Sequence, residues 1–245
     1  NMTGAEVIQF MIKKAAAAPK GVDVTTGYNY PQLISKFAMG AVFYNQACTN
    51  YLGDKKLSSA SKPNDAPYKK GAKYTGKEHV WDEAFGYWGA AAHTLTLSPK
   101  ESYEVAKKKN LTAADYNKDG VVDAGTEMTY AHAYYASGFD KGGKTNYLET
   151  VTRAFLTGRE TITNAKGQKL GWNGRNGGKG IIKQAAIICS NWEKVIAEAV
   201  FKYAGSVYKD LENMKENTDD AKMVGKYVKH WGELKGFALA LEVGK

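Results

Sequence analysis

The densest run of chemistry-bearing residues in this chain is Asp115-Tyr116-Asn117-Lys118-Asp119-Gly120-Val121-Val122-Asp123-Ala124-Gly125-Thr126-Glu127. Side-chain oxygens at positions 1, 3 and 5, glycine at 6, an apolar residue at 8 and aspartate at 9 follow the pattern of an EF-hand-type calcium loop. A hard cation of this size takes about six to eight oxygens converging on one point, and the glycine lets the chain turn sharply between them. The expected ligands are Asp115, Asn117, Asp119, the backbone carbonyl of Val121, Asp123 and Glu127, with Val122 pinning the loop to the core. The pattern departs at position 12, where Thr126 stands and the glutamate follows one residue later. Glu127 is expected to reach the ion from the first turn of the following helix. The ordinary alternative is an Asx-rich turn that holds no ion.

Two further segments place a histidine one helical turn from carboxylates. In Glu78-His79-Val80-Trp81-Asp82-Glu83, residues 79, 82 and 83 share one helix face. In His230-Trp231-Gly232-Glu233 the spacing repeats, which suggests a weak internal duplication. Two such helices facing each other could present two imidazoles and several carboxylates, a donor set suited to iron, zinc or manganese. Against this stands the simpler case of buried histidines that hydrogen-bond a neighbouring carboxylate and so satisfy both groups. The zincin pattern His-Glu-x-x-His and the Gly-x-Ser-x-Gly nucleophile elbow are absent.

The elements that must position these residues read as helices. Apolar residues recur every three or four positions over 4–18, 30–52, 73–95, 101–110, 126–137, 146–164, 180–214 and 219–243. The stripe over 180–214 is the longest and clearest. The five prolines fall between these patterns or in a first turn, as proline requires. No period-two alternation appears, so the expected fold is all-α, a single domain over 1–245 with two pseudo-repeat bundles at about 1–165 and 180–245, intertwined. The glycine-rich stretch 171–180 lacks the Gly-Lys-Ser/Thr ending of a phosphate loop and reads as a connection, with Arg175 and Lys179 able to gather an anion.

Taken in order, the string Glu78 to Tyr87, the Asp-x-Asn-x-Asp-Gly loop with its trailing Glu127, and His230-Trp-Gly-Glu-Leu-Lys-Gly-Phe237 resemble a bacterial envelope family, domain of unknown function 4856, related to the imelysins. The likeness runs over about 26–241. It implies a helical fold of two related bundles, export to the periplasm or outer membrane, and a link to iron, haem or metal uptake with an envelope transport partner. The imelysin signature is Gly-x-His-x-x-Glu. Here Lys77 replaces the glycine and Asp82 the glutamate, with Glu83 adjacent. An exported protein of this kind is expected to act as a non-enzymatic binding protein for a metal ion or iron-bearing ligand, with calcium as its structural ion and iron or haem as the second cofactor. The rival readings are a metallopeptidase-like hydrolase using the same residues and a structural or surface-interaction module whose only ion is calcium. A signal peptide or lipoprotein anchor is not expected within the chain itself.

In an exported protein the two cysteines, Cys48 and Cys189, are expected to be joined, closing a loop worth about 4–5 kcal/mol of chain entropy. The alternative is two small core residues that never meet. The formal charge of +9 is spread along the chain and accompanies no helix-turn-helix, zinc-finger or RNA-recognition pattern, so nucleic acid is not an expected partner. No apolar run approaches the roughly 20 residues that span a bilayer, so no transmembrane segment is expected.

Overall fold

A computed structural model of the chain describes residues 2–23, 25–57, 62–165, 167–168, 178–216 and 220–243. It is all-α: the described residues hold helices α1 (Gly4–Ala17), α2 (Tyr30–Ala38), α3 (Asp54–Leu57), α4 (Gly76–Trp88), α5 (Pro99–Ala106), α6 (Leu111–Ala114), α7 (Ala131–Asp140), α8 (Tyr147–Asn164), α9 (Gly178–Glu216) and α10 (Ala221–Glu242). The strands among them are a two-residue pair, β1 (Val22–Asp23) against β2 (Tyr28–Asn29). None of the described helices is long and apolar enough to cross a membrane.

The chain forms two compact units, one from residues 1–43 with 196–245 and the other from residues 44–195. In the first, α1 packs its Met11 onto Tyr30, Leu33 and Phe37 of α2. Here α2 and α10 approach closely because small residues line the contact. A Cβ on Gly236 would stand 2.7 Å from Lys36 Cβ and 2.9 Å from the Leu33 carbonyl, and one on Gly40 would overlap Ala240. The spacing 232, 236, 240 repeats every four residues, so it forms one ridgeless stripe along α10.

The second unit is built on aromatic packing. Trp88 of α4 meets Trp192 of α9 edge-on at 5.0 Å, and Tyr44 meets the same indole at 5.9 Å. A disulfide joins Cys48 to Cys189 with the Cα atoms 5.6 Å apart, as expected of the pair. Cys48 sits where the helix begun by α2 loosens into π-helical turns, Met39–Tyr44 and Gln46–Tyr51. The wider turn is visible in the Leu52 N–H, which donates to the Ala47 carbonyl five residues back at 2.8 Å.

Three expected helices are shorter than their apolar patterns. The 73–95 pattern yields only α4, because Thr75 and Glu78 close a capping box at its start and Gly89, at φ +82, ends it. The 101–110 pattern ends at Ala106, while Ser98 and Glu101 cap its start. The 126–137 pattern starts late, at Ala131, because residues 128–130 are non-helical and the Tyr130 N–H is bonded to Gly89. On α9 the buried stripe runs through Ile181, Ile188, Trp192, Ile196 and Tyr203 to Val207, and Leu211 is exposed.

Candidate functional site

The loop 115–127 is held by one-turn helix α6 before it and by a small core behind it. Asn110 caps α6 by accepting from the Ala113 N–H at 3.1 Å. Val122 packs against Val105, Ala114 and Met128, the anchoring role expected of position 8. Within the loop the Asp115 carboxylate accepts from the N–H groups of Asp119 at 3.2 Å and Gly120 at 3.0 Å. The Asn117 carbonyl oxygen accepts from the Asp119 N–H at 3.0 Å, and the Asn117 amide donates to Asp119 Oδ2 at 2.9 Å. The first three oxygen-bearing side chains therefore gather on one turn, with Gly120 at φ +84 closing it.

Asp123 and Glu127 act differently. Asp123 Oδ1 accepts from Gly125 at 2.7 Å and Thr126 at 2.8 Å, and these N–H groups, Thr126 foremost, hold its pKa below the usual carboxylate value. Glu127 is buried, with Oε1 accepting from Tyr116 at 3.1 Å and Asn117 at 3.3 Å, and Oε2 from Asp123 at 2.8 Å. It does not lie in the first turn of a following helix. Residues 128–130 are non-helical, with the Tyr130 N–H donating to the Gly89 carbonyl at 2.7 Å and the Ala92 N–H to that of Thr126 at 2.7 Å. That pairing delays α7 to Ala131. Among the described residues no three His, Cys, Asp or Glu side chains converge as a metal cluster. The donors gathered on the turn are all oxygens, the type a hard cation takes. Each carboxylate oxygen of Asp115 and Asp119 accepts one bond and so keeps a second lone pair for a cation, whereas Asp123 Oδ1 and Glu127 Oε1 already accept two.

On α4 the three candidate residues divide. His79 Nε2 lies 3.2 Å from Glu83 Oε1, and its ring stacks on Tyr68 at 3.9 Å. Asp82 turns instead to Arg159 of α8, whose Nε donates to Asp82 Oδ1 at 2.8 Å. Arg159 Nη1 donates to Glu78 Oε1 at 2.7 Å and also bonds Thr163. Burial pushes the Glu78 pKa up, but the Thr75 N–H, the Thr163 hydroxyl and Arg159 outweigh it and leave the group below its ordinary value. Asp82 is raised by desolvation against the pull of Arg159. With 53% of its side chain exposed, water and the guanidinium keep it a carboxylate at neutral pH.

The profile of a protein family described as Domain of unknown function (DUF4856) matches residues 20–225. The chain belongs to this family. No curated protein and no solved structure matches it. The family match covers the loop 115–127, α4 and both cysteines, and names no activity. It ends before His230 and Glu233, so the α10 motif lies past the matched segment.

In this member of the family, α10 directs its candidates to separate partners. His230 Nδ1 lies 2.6 Å from Asp210 Oδ2 of α9. Glu233 accepts from the Tyr203 hydroxyl at 3.2 Å and stands 3.9 Å from Lys36 Nζ. His230 belongs to the unit formed by residues 1–43 and 196–245, and His79 to the unit 44–195. Each is engaged within its own unit. Of the glycine-rich stretch, residues 171–177, including Arg175, and the side chain of Lys179 lie outside the described residues, while 178–180 open α9.

Several polar residues were not singled out by spacing. Arg159 is the counter-charge to two α4 carboxylates. The pairs 78/82 and 159/163, each four apart, mark one face per helix, but nothing local says that the two faces meet. Lys77 is fully buried and donates to the Lys56 carbonyl at 3.1 Å, and burial draws its pKa down to about 8. His132 of α7 is fully buried beside Trp192, ring to ring 5.5 Å, and neither ring nitrogen has a hydrogen-bond partner among the described residues. Burial lowers its pKa to about 3, so it is neutral at any ordinary pH.

Proposed function

We propose that this chain is an exported, non-enzymatic binding protein of the bacterial envelope whose 115–127 loop holds a structural calcium ion. The observation that carries the calcium reading is the winding of the loop about Asp115, with the side chains of Asn117 and Asp119 drawn to the same turn. Asp115, Asn117, Asp119, Asp123 and Glu127 with the Val121 carbonyl would hold the ion, which supplies positive charge to neutralise four carboxylates in one loop. A staple fits better than a sensor, because Val122 already packs in the Val105–Met128 core and there is one such loop, not a pair. Support for export comes from the Cys48–Cys189 bond, since disulfides persist in oxidising compartments and are rare in the cytosol.

Elemental analysis of protein purified without chelators should find about one calcium per chain, and chelation should lower Tm by several degrees. Asp115→Ala should abolish both effects. Protein that carries no calcium and gains no stability from added calcium overturns the reading. The same measurement reports on the metal-uptake link. His79 with Glu83, and His230 with Asp210, each offer two donors, whereas stable transition-metal sites use about three or four. As they stand, these pairs would each need further donors from a ligand to hold iron or zinc.

A further inference from the structure

Between α4 and α8, inside the unit 44–195, lies a cavity of about 220 Å³ whose lining includes none of the residues 115–127. From α4 it is walled by Trp81 and Phe85, and from α8 by Phe155 and Leu156. Its lining is mainly apolar, and its polar edge is formed by Asp82 and Arg159. The rings are fixed relative to one another: Phe155 meets Phe85 edge-on at 5.4 Å and Trp81 at 6.0 Å, and the Trp81 indole N–H donates to the Phe155 carbonyl at 2.8 Å. A cleft with such walls and one charged edge is a preformed small-molecule site in kind.

The charge at that edge decides which molecule it suits. Arg159 is shared between two carboxylates, Glu78 and Asp82, so the three groups sum to one net negative charge. An anion would meet this excess. A cation would meet Asp82, which bonds Arg159 through Oδ1 and has no hydrogen-bond partner on Oδ2 among the described residues. Half the Asp82 side chain is open to solvent, so an incoming group reaches it without unfolding anything. The volume matches one ring with a short tail and is below that of pockets for drug-sized ligands.

We propose that this cleft binds a small organic ammonium ion with an apolar body, its charged head at Asp82 and its body against Phe85, Phe155 and Leu156. The inference goes beyond the calcium reading and needs none of the loop residues.

The test is calorimetric titration of the full chain with 2-phenylethylamine and, as its charge-reversed match, 3-phenylpropanoate. The amine should bind with a Kd of about 1 mM or tighter and the carboxylate at least about tenfold more weakly. Asp82→Asn should weaken the amine about tenfold while leaving Tm within about two degrees, since an exposed ion pair contributes little to folding. Leu156→Trp, at a position 47% exposed, should fill the cleft and abolish binding of both probes. Equal binding of the two probes, amine binding indifferent to Asp82→Asn, or no binding of the amine overturns the proposal. Calcium content measured on the same samples reports on the loop alone, so failure of one reading is separable from failure of the other.

Discussion

The environment of His132 departs far from what an imidazole prefers. Its imidazole sits fully buried in the aromatic core with two nitrogens unpaired among the described residues. In the unfolded chain it titrates near 6.5, and in the native state burial draws this to about 3. Above 6.5 both forms are neutral and its contribution to stability is fully present. Between the two values the unfolded chain holds the extra proton, so stability falls as the solution is acidified. Lowering the pH from 6.5 to 5 should cost on the order of 2 kcal/mol through this residue alone. His132→Phe keeps a ring against Trp192, removes both unpaired nitrogens, and should flatten that loss while holding or raising stability at pH 7 by about 1 kcal/mol. Urea unfolding at the two pH values checks it, and an acid slope as steep in the variant as in the wild type would assign the titration to another group.

At the scale of elements, the close approach of α2 and α10 depends on residues that lack side chains. Gly236 is the tightest point with backbone on the far side, 2.9 Å from the Leu33 carbonyl for an added Cβ. Gly236→Val should therefore push the helices apart and cost about 1–3 kcal/mol, read as a drop in the denaturant midpoint at constant slope. Gly225→Ala, on the same helix with open space around it, serves as the control and should be neutral or slightly stabilising. A loss at 225 equal to that at 236 would move the explanation from packing to helix propensity. The α10 motif is informative here. Read along the sequence, its histidine and glutamate draw attention, yet the glycines between and after them decide how the helix packs.

At the scale of the whole molecule, the longest-range covalent constraint is the Cys48–Cys189 bond, spanning 141 residues within the unit 44–195. Closing a loop of that length restricts the unfolded chain, by about 4–5 kcal/mol on the entropy estimate and commonly less in practice. Replacing both cysteines by serine should lower unfolding stability by about 2–5 kcal/mol, and adding reductant to the wild type should reproduce the change. A wild type indifferent to reductant, measured by urea titration, would show that the bond does not form in solution.

Properties that depend on neighbours along the chain were legible from the sequence alone. Helical periodicity marked α8, α9 and α10 to within a few residues, because an amphipathic stripe is a local property of spacing. The turn at 115–120 was legible too, since the oxygens of Asp115, Asn117 and Asp119 and the glycine at 120 follow from order within six residues. Helix ends were less so. The capping box at Thr75 and the left-handed Gly89 cut α4 short inside an apolar pattern that runs on in other structure.

The pairing of distant side chains was decided only by tertiary structure. It sent Asp82 to Arg159, His230 to Asp210 and Glu233 to Tyr203, where one-turn spacing had grouped the first with His79 and the last two with each other. It also buried His132 against Trp192 and opened the cleft beside Asp82. The reason is physical: a side chain's charge and hydrogen-bonding capacity are properties of its type, but its partner is whatever the packing of another helix brings within about 3 Å.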